Sequence, residues 1–175
     1  MLGGGCRKGS AVVDVVIFVA IIVFVILPVF SIIMEKYLLL NKAQIIKDAV
    51  DMTNISAYNA INAAELGKAD VDVDEAGAMD IFRNLLALNL KLDEDLKPLP
   101  DSLAEDTVSI RSLIVFSDTF PSECPLGVNI TRPSVHSVIV VPVRPSLYRQ
   151  LILSMLGRQF VELEVHVDSD IPVNN

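Results

Sequence analysis

Asp14 stands at the mouth of a run that is otherwise apolar: no charged residue occurs from Val15 to Met34. A charged side chain near the membrane core costs roughly 2.5–3.5 kcal/mol on insertion scales, so a carboxylate there needs a partner or a role. It also fits a plainer reading, an interfacial charge that snorkels to water at the start of any membrane helix. Elsewhere, residues able to do chemistry are sparse. Asp70, Asp72 and Asp74 are spaced two apart, as at the start of a calcium loop. The sixth place holds Glu75 instead of glycine, and the twelfth holds Ile81 instead of glutamate, so an acidic loop leading into a helix is the better reading. His136 and His166 are the only histidines and fall on separate predicted strands; with Cys124 they make a poor zinc set. No serine or cysteine stands in a recognisable nucleophile context. The Gly3-Gly4-Gly5 run lies at the N-terminus and does not follow a strand, so it is no phosphate loop. Asn54-Ile55-Ser56 and Asn129-Ile130-Thr131 match a glycosylation sequon, a pattern too short to decide anything. The residues therefore predict no catalytic site, no metal and no cofactor, and a chain that is not an enzyme.

The elements that position these residues begin with an anchor. The chain has 175 residues, 52% of them hydrophobic, and a mean hydropathy of +0.52. That value is high for a soluble domain, and the excess sits near the N-terminus. The run from Val15 to Met34 is long enough for a helix to cross the hydrocarbon core. Arg7 and Lys8 precede it, which places Met1 in the cytoplasm and the C-terminal bulk outside. A cleaved secretory signal would be shorter and would end in a small-residue site; neither holds here. Nothing apolar of useful length precedes Cys6, so a lipoprotein signal is excluded. Pro28 lies inside the span and should kink or loosen the helix. Cys6 and Cys124 flank the span and would face opposite sides of a membrane, so no disulfide is expected. The net charge of −8 and pI ≈ 4.6 leave no basic surface for nucleic acid.

Beyond Tyr37 the helical period continues. Leu38, Leu39, Ala43, Ile46, Ala49, Val50, Thr53, Ala57, Ala60, Ile61 and Ala64 recur at three- and four-residue steps, forming a narrow alanine-rich face that ends near Gly67. Lys8-Gly9-Ser10-Ala11-Val12-Val13-Asp14 followed by this long helix resembles the class III signal sequence of type IV pilins and pseudopilins. The resemblance implies that a prepilin peptidase cuts on the cytoplasmic side between Gly9 and Ser10. It makes Asp14 the fifth mature residue, where the family usually carries glutamate. That carboxylate would meet the new N-terminal amine of a neighbouring subunit during assembly. Towards the C-terminus the chain looks most like the TadE-like proteins of tight-adherence pili, which follow the helix with a small β-rich part. The implied organisation is a leader over 1–9, a long helix over 10–66 with its span at about 15–34, and an exported domain over 67–175. The implied partners are the membrane, the prepilin peptidase, other pilin subunits and the assembly machinery. An unprocessed, signal-anchored binding module of an envelope complex is the alternative.

In the exported part, Val71 to Lys91 reads as a second helix capped by Asp74, with Met79, Phe82, Leu85, Leu86 and Leu90 on its apolar face. Thr107 to Ser117 has strand composition, and Phe120 to Pro133 reads as a proline-bearing loop. Ser137 to Val143 reads as a buried strand that Pro142 pushes to a sheet edge. Ser146 can cap a short helix that Gly157 stops. From Val161 the chain alternates: Val161, Leu163, Val165 and Val167 face one way, while Glu162, Glu164, His166 and Asp168 face the other. The expected fold class is α+β: a long N-terminal transmembrane-plus-amphipathic helix, then a small antiparallel sheet with one or two short helices.

Overall fold

A computed structural model of the chain describes residues 8–66, 75–117 and 120–171. The fold is α+β. A helical rod leads into a three-stranded antiparallel sheet with two further helices. The rod comprises α1 (Lys8–Ile21), one π turn (Ile22–Ile26) and α2 (Leu27–Leu66). At about 1.5 Å per residue it is on the order of 90 Å long. The π turn directly precedes Pro28, and the Leu27 amide bonds the Ile22 carbonyl. Proline offers no amide and its ring crowds the carbonyl four residues back; widening the preceding turn relieves that crowding. One helix, Val12–Ile61, is long and apolar enough to cross a membrane, and the rest of the chain leaves its most apolar stretch uncovered.

The second half of α2 is a core helix. Ile46, Val50, Ala57 and Ile61 are buried. They pack against α3 (Glu75–Leu90), whose Phe82 and Leu86 are fully enclosed, and against the sheet. The face predicted from Leu38 onward is the one that packs, Thr53 included; Leu38 at its start is exposed, and the polar Asn54, which the periodicity does not place on it, is completely buried beside Thr53. Local hydrogen bonds explain how they are accommodated. Thr53 donates to the Ala49 carbonyl and accepts from Asn89 of α3. Asn54 donates to Ser169 Oγ at 2.9 Å and the Val135 carbonyl at 3.3 Å, and Ser169 in turn donates to Asp51. This polar seam registers α2 on the sheet.

The sheet order is β1 (Ser109–Phe116), β4 (Ser134–Val143), β5 (Val161–Asp170), with a two-residue hairpin formed by β2 (Ser122–Glu123) and β3 (Asn129–Ile130). The hairpin lies inside the segment read as a loop. The strand carrying Pro142 is central, which corrects the edge placement expected from sequence. β1 pairs with β4 only as far as Val140, so one flank of β4 is open at Pro142. The Pro142 carbonyl accepts from the Glu105 amide on that flank, so the missing proline donor also points there and the β5 ladder loses nothing. Ile139, Val141 and Val143 of β4 and Val165 and Val167 of β5 face the helices. The alternate residues, including His136, His166 and Asp168, line the other face.

Two helix ends share a Schellman geometry. After α3, the Leu92 amide bonds the Ala87 carbonyl and the Lys91 amide the Leu88 carbonyl, with Lys91 left-handed at φ 55°. After α4 (Leu147–Met155), Arg158 and Gly157 make the same pair of bonds to Leu153 and Ser154, with Gly157 at φ 70°.

Candidate functional site

Gly9 and Ser10 lie at the start of α1, and Asp14 lies one turn further along the same face as Ser10. Asp14 is exposed, as are Val13 and Val15 on either side of it and most of the apolar residues that follow as far as Leu40. Phe18, Phe24 and Phe30 are each more than half exposed, so this surface is built to meet lipid or other apolar helices. The face from Ile46 to Ile61 is filled by the chain's own α3 and sheet. The apolar surface left uncovered is therefore that of the first part of the rod.

Where the span meets the folded part, Glu35 is buried with 6% exposure. Ser146, the residue preceding α4, donates its hydroxyl to Glu35 and makes no side-chain cap bond to the helix it precedes. The predicted capping role is thus replaced by a tether between the sheet-to-helix turn and the rod. Arg149 Nε lies 3.8 Å from the other Glu35 oxygen. Lys42 adds a bond to the Arg144 carbonyl at 2.9 Å, and Arg144 reaches Glu105 at 2.6 Å. Beside this junction is an open groove of about 620 Å³ lined by Ile32, Leu39, Leu153 and Leu163 with Glu35 and Arg149.

A second cluster lies on the sheet face away from the helices. The β4–β5 register sets His136 directly opposite Asp168 and Val138 opposite His166. His136 Nδ1 is 2.7 Å from Asp168 Oδ1, and His166 Nε2 is 2.9 Å from Asp168 Oδ2. The two ring nitrogens are 3.2 Å apart. Cys124, just past β2, is buried and places Sγ 3.7 Å from Asp168 Oδ2. Its turn is held by the Cys124 amide on the Val128 carbonyl and the Gly127 amide on the Cys124 carbonyl. The three residues judged a poor zinc set are thus brought together with a fourth, Asp168, which sequence reasoning did not include. The period-two alternation of β5 already put His166 and Asp168 on one face; what it lacked was the register with β4. Asp70, Asp72 and Asp74 fall outside the described residues.

The chain matches no family model, no curated protein and no solved structure.

Proposed function

We propose that this protein is a structural, non-enzymatic subunit of a type IV or Tad-type pilus or related filament, TadE-like in organisation. A prepilin peptidase removes residues 1–9 on the cytoplasmic side. The mature chain is held by its single span with the folded part outside the membrane, and it assembles with other pilin subunits through the first part of its rod. One observation carries the reading: the basic pair, Gly9, Ser10 and Asp14 stand at the start of a helical rod whose apolar surface is largely uncovered up to Leu40. A bundle of such helices excludes lipid from Asp14, and the Ser10 amine of a neighbour supplies the opposite charge there. The two charges satisfy each other in one axial register only, which favours ordered addition of subunits. Removal of Arg7 and Lys8 with the leader also leaves the mature chain more acidic.

The deciding experiment is the intact mass of membrane-extracted protein, co-expressed with and without a cognate prepilin peptidase. A peptidase-dependent loss of residues 1–9 is expected, and Gly9→Ala should block it. A chain that keeps its leader under both conditions would instead be a signal-anchored module, with Asp14 an ordinary interfacial charge.

A further inference from the structure

The geometry points to a divalent transition-metal site of the zinc class, formed by Cys124, His136, His166 and Asp168. Each residue offers one donor atom, and the four atoms lie within 4.8 Å of one another. Tetrahedral zinc, with bonds of about 2.0–2.3 Å, needs donor-to-donor edges of roughly 3.2–3.8 Å. The ring-nitrogen pair at 3.2 Å and the sulfur–carboxylate pair at 3.7 Å already meet that requirement. With Asp168 Oδ2 as the carboxylate donor, its contact with His166 Nε2 is shorter, at 2.9 Å, and His136 Nδ1 lies 2.7 Å from the other oxygen, Oδ1, so taking up the ion requires the Asp168 carboxylate and the His136 ring to rotate.

Two features favour an ion over a hydrogen-bonded cluster. Both imidazoles aim a ring nitrogen at one carboxylate while those nitrogens face each other. If each carries a proton, the two N–H groups crowd; a cation that takes both lone pairs removes the conflict. Charge also balances. A thiolate and a carboxylate neutralise a divalent ion, which suits a site where Cys124 and His136 are buried. The thiol gives its proton to solvent as the metal binds. A Cys–His nucleophile is the competing use of these residues, but the Cys124 thiol donates to the Asp168 carboxylate and not to a ring nitrogen.

Two nitrogens, one sulfur and one oxygen are a borderline donor set that suits zinc. With all four places filled by protein, the site is structural and not catalytic. Its mechanical effect is specific: Cys124 belongs to the β2–β3 hairpin, while the other ligands belong to β4 and β5. The ion therefore fastens the hairpin onto the sheet. His166 and Asp168 are only partly buried, which gives the ion a path in.

The test uses the full-length chain in detergent on a Cys6→Ser background, so that Cys124 is the sole thiol. After chelator treatment the protein is titrated with Co²⁺. The expected result is saturation at one equivalent, with the visible bands of tetrahedral cobalt and a near-ultraviolet thiolate-to-cobalt band, all abolished by Zn²⁺. Cys124→Ser, a one-atom change, should lose the thiolate band. His166→Ala should weaken binding by at least about tenfold, since even outer-shell changes at metal sites cost 10–100-fold. Absence of a saturable cobalt spectrum in the parent overturns the site. So does a spectrum unchanged by Cys124→Ser, which would place the metal elsewhere. If His166→Ala fails to fold, the parent and Cys124→Ser titrations still decide. The outcome is independent of whether the leader is cleaved.

Discussion

Asp14 and Asn54 are both polar residues on one apolar rod, and their surroundings set different costs. Asp14 is exposed on α1; in the proposed filament it becomes buried as helices bundle. Asp14→Ala should therefore leave membrane insertion intact. It should lower surface filament yield by more than about tenfold, because opening a buried charge pair costs several kcal/mol. Electron microscopy and shear-fraction yield would check this, and normal filaments from the variant would remove the pairing argument. Asn54 is already buried within its own chain, bonded to Ser169 and Val135. Asn54→Ala strands those partners and should lower stability by about 1–3 kcal/mol, read by urea unfolding of the detergent-solubilised protein. From sequence, Asn54 reads as one of the polar residues interspersed along the helix. Helical periodicity places a residue on a face but says nothing of the hydroxyl that waits on β5 to receive its amide.

At the scale of elements, the two Schellman ends form a natural comparison. Lys91 and Gly157 occupy the same left-handed position, at φ 55° and 70°. A side chain is penalised there and glycine is not. Nothing lies within 4 Å of a methyl group added at Gly157, so the penalty at that position is conformational alone. Lys91→Gly should raise, and Gly157→Ala should lower, the unfolding free energy by about 1 kcal/mol each. Paired denaturant curves test both signs. Gly157 was readable as a helix stop because glycine is the usual residue at that place. Lys91 gives no such signal, since only the recorded φ and the Leu92 bond to Ala87 reveal it. Pro142 teaches the converse. A proline in a strand signals an edge only where its missing donor would have joined a ladder, and here that donor points to the open flank of β4.

Across the whole molecule, the rod divides into an uncovered half and a packed half, and stability should follow that division. Phe82 of α3 is fully enclosed beside α2, so Phe82→Ala should cost about 3–5 kcal/mol. Phe24 is 78% exposed on the span, so Phe24→Ala should leave unfolding of the α3–sheet core unchanged. Thermal unfolding followed by near-ultraviolet circular dichroism in one detergent would separate the two. A loss of core stability from Phe24→Ala would mean that the span packs on the folded part.

What the sequence determined by itself is whatever local chemistry and periodicity carry. The uncharged run after Asp14 makes a helix that can cross a membrane. The alternation from Val161 makes a strand with one buried face, and the α+β order follows from placing these in succession. Tertiary structure alone decided which distant residues meet. The β4–β5 register joined His136 to His166 and Asp168, and the hairpin at Cys124 delivered a thiol to them. The turn before α4 sent Ser146 to Glu35, and the packing of α2 on the sheet brought Asn54 to Ser169. These contacts depend on strand register and on loops that close over a sheet face. Both are set by the packing of elements far apart in the chain, and no local pattern of residues encodes them.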